Sequence, residues 1–224
     1  MAGQQVAAPT TRTRIRRHPE RGTYDRETVR SILDEGLICH LGFVVDGTPF
    51  VMPTMYARSG DVVYVHGSPA SRMLRAAAGP ADVCLTVTLL DGLVLARSVF
   101  SHSMNYRSVV VLGRADEVDD PDEKMRATEA LVEHVCRGRW ADARHPNAKE
   151  LASTTILRLS LDESSAKVRS GGPKDSEADL GLPGWAGCVP LAVRPLTPIP
   201  DDPLPETDAP PPYATGYTRP GWTD

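Results

Sequence analysis

Residues 37–66 read LICHLGFVVDGTPFVMPTMYARSGDVVYVH, and this stretch decides the fold. Three apolar runs rich in β-branched residues are separated by Asp46-Gly47 and by Ser59-Gly60-Asp61, both of which are turn signals. The stretch therefore predicts three antiparallel strands over 37–45, 48–57 and 62–66. Pro53 has no amide hydrogen to donate, so we expect it at a sheet edge, a bulge or a gap in the ladder.

The same pattern of short apolar runs and turns continues along the chain. It predicts strands over 82–89, 93–100, 106–118, 154–161 and 185–193, with a turn at Asp91-Gly92. Helical periodicity and capping residues predict helices over 24–36, 69–78 and 122–135, a short helix near 147–151, and a polar loop over 164–181. Strands and helices do not alternate, so we predict a mainly β (α+β) fold, a small β-barrel with peripheral helices.

Composition limits the class of protein. The chain has 224 residues, 41% of them hydrophobic, and a net charge of -4, which argues against nucleic acid as a partner. It contains no apolar run of membrane-spanning length and no secretory signal, so we expect a cytoplasmic protein without a membrane anchor. Its four cysteines are far apart in the sequence, and we expect free thiols in preference to disulfides or a zinc site.

Three regions differ in composition. Residues 1–22 are rich in arginine and predict a flexible basic arm, either solvated or lying across a partner subunit. Residues 23–195 carry the strands and helices of one domain. Residues 196–224 are rich in proline and predict an extended tail.

The first candidate site is Val65-His66-Gly67-Ser68-Pro69-Ala70-Ser71-Arg72. A strand ends at His66, and a helix start follows that carries two serines and an arginine. Serine hydroxyls, free amide groups and a guanidinium together form a cradle suited to a phosphate. The alternative is ordinary capping of the helix by serine, with Arg72 in solvent.

A second candidate site precedes the apolar run 109–112. Residues 97–108 gather donors and cations at Arg97, His102, Asn105, Tyr106, Arg107 and Ser108. Such a segment suits contact with a ligand or a second subunit, although an edge strand protected by charge would look similar. Lys167 and Arg169 in the glycine-containing region 164–175 can close over an anion or remain solvated. Trp185 can pack on a planar ring or in the core.

Templates for hydrolysis and metal binding do not appear. The chain has no H-E-x-x-H or G-x-S-x-G motif, so neither a hydrolase nor a metal site is predicted. It offers anion-binding groups but little acid–base machinery. That combination is typical of a protein whose phosphorylated cofactor carries the chemistry.

Taken in order, several motifs resemble the pyridoxamine 5′-phosphate oxidase-like proteins, a superfamily of flavin-binding split β-barrels, and within it the branch of nitroimidazole-resistance proteins. They are D-G-x-P-x-V-x-P-T (46–54), Y-V-H-G-S-x-x-S-R (64–72), T-L-L-D-G-L-V-L-A-R-S (88–98), H-S-M-N-Y-R-S-V-V-V-L-G (102–113), S-A-K-V-R-x-G-x-P-x-D (165–175) and W-A-G-x-x-P-L (185–191). The resemblance covers residues 12–195. It implies a split β-barrel homodimer with non-covalent FMN at the subunit interface.

The resemblance also implies roles for individual residues. The flavin ring would be lined by Val51, Met52, Pro53, Thr54, Val65 and His66, and the phosphate held by Gly67, Ser68, Ser71 and Arg72. Arg107 and Ser108 would reach the cofactor from the partner subunit, with Trp185 nearby. His66 is the candidate reactive residue. Substrate or dimer contacts are left for Arg97, His102, Asn105, Tyr106, Lys167 and Arg169.

Two departures narrow the activity that the resemblance implies. Met73 stands where pyridoxamine phosphate oxidases carry a lysine after the S-R pair, and the proline-rich tail replaces their C-terminal R-x-H signature. We therefore expect an FMN-dependent oxidoreductase with a nicotinamide donor, NAD(P)H, and a small organic acceptor. A non-enzymatic flavin or haem sensor or carrier is the alternative, and haem or deazaflavin are the alternative cofactors.

Overall fold

The computed structural model describes residues 9–201 and 209–222, so 1–8 of the basic arm and 202–208 and 223–224 of the tail lie outside it. The described residues form a mainly β protein, as predicted. The strands are β1 (Gly22–Thr23), β2 (Ile38–Val45), β3 (Thr48–Ser59), β4 (Val62–Gly67), β5 (Val83–Leu95), β6 (Ser103–Gly113), β7 (Ala115–Glu117), β8 (Thr155–Ser160), β9 (Ser164–Arg169) and β10 (Gly187–Pro190). The helices are α1 (Arg26–Glu35), α2 (Arg72–Ala77), α3 (Pro121–Val135), α4 (Arg139–Asp142), α5 (Ala148–Ala152) and α6 (Pro212–Thr215).

The strands pair antiparallel in the order β1-β9-β6-β5-β2-β3-β4-β8-β7, and β10 pairs with the second half of β5. The chain leaves β6 at Gly113 and enters β7, which pairs with β8 at the far end of this order. Gly113 has a φ of 155°, a conformation that side chains rarely allow. This connection therefore leads from β6, the third strand of the order, directly to β7 at its far end.

The β2–β3 hairpin has the register that its turn dictates. Asp46 and Gly47 have φ values of 49° and 77°, the left-handed pair that a tight two-residue hairpin turn requires. Pairing then runs from Val45 opposite Thr48 to Ile38 opposite Met55 and sets Phe43 opposite Phe50. The register therefore turns one face of the hairpin toward the core.

Helix α1 closes one end of this core. The Asp25 carboxylate caps it by accepting from the Thr28 amide at 2.9 Å, and Val29, Ile32 and Leu33 are buried. The buried Tyr56 hydroxyl of β3 donates to the Leu33 carbonyl at 2.6 Å. Sheet and helix are thus joined by both apolar packing and a buried hydrogen bond.

Two parts of the predicted strand pattern are wrong. Asp91-Gly92 is not a turn, because β5 runs through it with a register shift between Leu90 and Gly92. Glycine is needed there since a Cβ on Gly92 would lie 2.9 Å from the Val189 carbonyl of β10. The start of the predicted polar loop is strand β9, which lies between β1 and β6 with Ser164 and Ser165 buried. Both serines are small enough to be buried between the neighbouring strands. Because serine is polar, the apolar pattern that predicts a strand is missing from this part of the sequence.

Other boundaries differ less. The predicted strand over 185–193 is confined to β10, and the end of the predicted strand at Phe100 is a 3₁₀ turn over Val99–Ser101. Pro53 lies where β3 pairs with β2 alone, so the expected edge position is confirmed. Among the described residues, no helix is both long enough and apolar enough to cross a membrane.

Both ends of the described chain contact the domain. Arg12 forms ion pairs with Asp82 and Glu163. Residues 209–222 form the helical turn α6 and then place the buried Arg219 guanidinium between the ends of α1 and α3. His134, near the end of α3, lies beside it, with Nε2 at 2.8 Å from the Gly36 carbonyl and 3.2 Å from an Arg219 nitrogen.

This arrangement predicts acid sensitivity. Burial, and then the Arg219 charge, lower the pKa of His134 from 6.5 to about 4. The unfolded chain therefore takes up this proton first as the pH falls, and His134 reduces the free energy of unfolding between pH 6.5 and about 4. The slope for one proton is at most about 1.4 kcal/mol per pH unit. Urea unfolding across this range should show the slope, and His134→Gln should remove it; an unchanged slope in the variant would contradict the assignment.

Candidate functional site

Arg72, one of the predicted phosphate residues, lies over an aromatic ring. Phe50 of β3 stacks on Phe43 with ring centroids 5.6 Å apart, and the Arg72 guanidinium lies 4.5 Å from the Phe50 centroid. Within the described part of the chain, Arg72 has neither a carboxylate nor a hydrogen-bond partner. A guanidinium that stacks on a ring keeps its edge donors free. Arg72 is thus positioned to bind an anion.

The serines before Arg72 also serve the local backbone. The Ser71 amide donates to the Ser68 carbonyl at 2.9 Å, and Ser68 Oγ accepts from the Ala70 amide at 3.2 Å. Ser71 Oγ caps α2 by accepting from the Leu74 amide at 3.4 Å, a long hydrogen bond. The hydroxyls face the start of a helix of six residues, so Arg72 supplies the main positive charge.

His66 is the penultimate residue of β4, just before this turn, between the buried Val65 and Gly67. Its Nδ1 is buried, with no hydrogen-bond partner in the described structure. Burial lowers the pKa of His66 below its ordinary value, so the imidazole is neutral at neutral pH. A buried ring nitrogen without a partner is costly, and a bound group that contacted it would remove that cost.

The strand predicted to line a flavin ring has one open edge. Over residues 48–55, β3 pairs with β2 alone, since its pairing with β4 begins at Tyr56. The other edge of this segment therefore carries backbone groups that no described strand occupies. The predicted lining residues Val51, Met52, Pro53 and Thr54 lie there, with Val51 63% exposed.

Arg107 has intramolecular partners that the sequence did not reveal. Its guanidinium forms ion pairs with Glu35 at the end of α1 and with Asp91 at the β5 bulge, with Nη2 at 2.8 Å from Glu35 Oε1 and 2.7 Å from Asp91 Oδ1. The Glu35 and Asp91 carboxylates raise the pKa of Arg107 above its ordinary value. Ser108 Oγ donates to the Lys167 carbonyl at 3.4 Å. The expectation that Arg107 and Ser108 reach a partner's cofactor stays a prediction.

Arg97 and His102 belong to a turn held by one carboxylate. Asp175, whose side chain is 1% exposed, accepts from the Arg97 amide at 3.0 Å, from Arg97 Nη1 at 3.1 Å and from the Ser98 amide at 3.4 Å. Burial acts to raise the pKa of Asp175, but these hydrogen bonds outweigh it and lower the pKa. His102 Nδ1 lies 3.0 Å from the Ser98 carbonyl.

Arg169 organises the neighbouring loop from a buried position. Its guanidinium donates to Asn105 Oδ1 and to the Gly172 carbonyl at 3.3 Å. Tyr106 lies opposite Arg169 in the β6–β9 register, and Lys167 Nζ donates to the Arg17 carbonyl at 3.1 Å. These residues therefore support the loops around them.

Trp185 lies on the surface, next to the start of β10. It is 66% exposed, and its indole covers Gly187, where a Cβ would lie 2.7 Å from the ring. The candidate residues thus fall into two groups, one at β3, β4 and α2 and one at β5, β6 and β9. No described hydrogen bond or ion pair joins the two groups.

Comparison with known proteins agrees with the family resemblance found in the sequence. The family model of pyridoxamine 5′-phosphate oxidase matches residues 25–168. A flavocytochrome from Azotobacter vinelandii is 40% identical with a TM-score of 0.89, over 95% of this chain and 99% of that one. A FAD- and haem-binding protein from Mycobacterium smegmatis is 35% identical with a TM-score of 0.85, over 89% of this chain and 98% of that one. Comparison with curated proteins finds no match.

A more distant structure shows the fold alone. A candidate 5-nitroimidazole antibiotic resistance protein from Bacteroides thetaiotaomicron is 22% identical with a TM-score of 0.56, over 66% of this chain and 86% of that one. The resemblance drawn from the motifs and the split β-barrel predicted with it are confirmed by these matches.

Proposed function

The chain belongs to the pyridoxamine 5′-phosphate oxidase family, and from that premise we propose that it binds a flavin and serves as a redox protein. The observation that carries the proposal is the Arg72 guanidinium, stacked on Phe50 with its donors free. Arg72 would bind the flavin phosphate together with the Ser68–Ser71 turn. The open edge of β3 would receive the ring.

The form of the flavin is part of the proposal. The resemblance implies FMN, whereas the Mycobacterium smegmatis relative is a FAD-binding protein. We favour FAD because that relative shares 35% identity over 89% of this chain. Both flavins present the phosphate that Arg72 would hold, so the role of Arg72 is the same for either.

A bound flavin would supply hydride or electron transfer. The residues of the chain would hold the ring and keep water away from it. The neutral His66 would lie beside the ring without adding charge, and the apolar Val51 and Met52 would shield the ring from water. We propose a nicotinamide donor and a small organic acceptor. Oxidation of NAD(P)H coupled to quinones or nitro compounds would distinguish an enzyme from a flavin carrier, the alternative function.

A homodimer in the cytoplasm completes the proposal. Many large apolar side chains are exposed on the single chain, more than isolated surface residues would explain: Ile38, Val44, Val51, Met52, Leu90, Val99, Phe100, Met104, Trp185, Val189 and Leu191. Burial of this surface against a second copy would remove it from water. The four free thiols suit a reducing compartment. Sedimentation of the purified protein as a monomer would contradict the dimer.

The role of Arg72 predicts a binding defect. Arg72→Gln removes the cation and should weaken flavin binding by about 1.5–3 kcal/mol, the usual range for a hydrogen bond to a charged group. Fluorescence quenching of added FAD or FMN measures the dissociation constant. Arg75→Gln is the matched control, because Arg75 is an exposed arginine of the same helix that donates to the Pro69 carbonyl at 3.5 Å. Equal affinities for wild type and Arg72→Gln would place the phosphate elsewhere.

We propose haem as a second group, because the two relatives of highest identity are a flavocytochrome and a FAD- and haem-binding protein. Haem iron takes an imidazole as axial ligand. A histidine that ligates a metal usually donates its other ring nitrogen to a carbonyl or carboxylate. His102 is exposed, and its Nδ1 lies 3.0 Å from the Ser98 carbonyl, which leaves Nε2 free for iron. Because His66 is assigned to the flavin ring, we propose His102 as the haem ligand.

Spectroscopy tests this assignment without any turnover. Wild-type protein titrated with haemin should give a sharp Soret band, and His102→Ala should lose it or shift it, because the axial nitrogen is gone. His40→Ala, at an exposed histidine of β2, is the control and should keep the band. A Soret band that is the same in His102→Ala as in wild type would exclude His102 as the ligand.

A further inference from the structure

The C-terminal segment 209–222, here called the C-terminal latch, is joined to the domain mainly through Arg219. Arg219 is buried, with 6% of its surface exposed. Its Nε donates to the Glu35 carbonyl at 2.8 Å, its Nη2 to the Asp34 and Gly36 carbonyls at 2.7 and 2.9 Å, and its Nη1 to the His134 carbonyl. Each guanidinium nitrogen therefore has a partner.

The partners of Arg219 are the ends of two helices. Asp34, Glu35 and Gly36 end α1, and His134 lies in the last turn of α3. The last carbonyls of a helix lack intrahelical partners and carry its partial negative charge. Arg219 forms no ion pair with a described carboxylate, so these helix ends stabilise its buried charge. The latch is therefore held where the several donors of one guanidinium meet the carbonyls of two helix ends.

A second contact connects the latch to the candidate site. Gly221 has a φ of 82°, and a Cβ on it would lie 2.7 Å from the carboxylate carbon of Glu35. The latch backbone therefore packs directly against the Glu35 side chain, which is 9% exposed. That carboxylate is one of the two that bind Arg107.

We propose that Arg219 is a positioning residue for the flavin site. By holding the C-terminal latch on α1 and α3, it fixes Glu35 and, through Glu35, the orientation of the Arg107 guanidinium. The inference rests on the proposed flavin site and on the prediction, made from the family resemblance, that Arg107 contacts the flavin of the partner subunit. Sequence analysis had no signal for this role, because the tail reads as a proline-rich extension and its one informative residue is an isolated arginine.

The first experiment measures amide exchange in the latch and the NMR signal of Arg107 in flavin-free protein. Arg219→Gln should accelerate amide hydrogen exchange across 209–222 and change the NMR resonance of Arg107 Nε–H. Arg137→Gln is the matched control. Arg137 lines the same cavity of about 590 Å³ between the latch and α3, but it is exposed and makes no described hydrogen bond or ion pair. If exchange in the latch or the Arg107 resonance is the same in Arg219→Gln as in wild type, the inference is overturned.

The second experiment is a double-mutant cycle in which the flavin dissociation constant is measured. Arg219→Gln should weaken flavin binding about tenfold, and this effect should disappear in an Arg107→Gln background, because coupled residues are not additive. An effect of equal size in both backgrounds would mean that Arg219 does not act through Arg107, and would overturn the inference. A protein that takes up no flavin refutes the proposed function, while the exchange and NMR results still decide the role of Arg219.

Discussion

The register of the β2–β3 hairpin is the constraint on which the candidate site depends. Asp46 and Gly47 adopt the left-handed turn that sets Phe43 opposite Phe50, and the two rings stack at 5.6 Å. A slip of one residue would turn Phe50 to the other face of the sheet. Arg72 would then lose the ring beneath its guanidinium, while the Ser68–Ser71 turn would keep its local hydrogen bonds and the cap of α2. The turn thus affects the chemistry of a site further along the chain, at the end of β4 and the start of α2.

The second group of candidate residues depends on intramolecular carboxylates. Asp175 holds the turn that follows Arg97, while Glu35 and Asp91 together hold Arg107. Arg97 and Arg107 of this group thus have intramolecular counter-ions, whereas Arg169 donates to Asn105 and to loop carbonyls. All three guanidinium nitrogens of Arg107 donate to the carboxylates of Glu35 and Asp91, so its charge is neutralised and it is less suited than Arg72 to bind a phosphate. Arg72 differs because it stacks on Phe50 and has no described counter-ion.

Strong local patterns made most of the fold predictable. The turns at 46–47 and 59–61, the capped helix α1 and the apolar runs of β2 to β4 follow directly from residue types. The bulge at Gly92 was misread because Asp-Gly favours a turn until the close approach of β10 is known. Strand β9 was missed because two of its buried residues are serines. The partners of Arg107 and Arg219 are 16 to 185 residues away in sequence, so no local pattern could reveal them.

The central claim is that this chain binds a flavin through Arg72 and the open edge of β3. The absorption spectrum of the purified protein, combined with chromatography of the released cofactor, tests it most directly. The account predicts a yellow protein with the flavin absorption bands, about one flavin per chain, and FAD as the released species. A colourless protein that takes up neither FAD nor FMN on titration would contradict it.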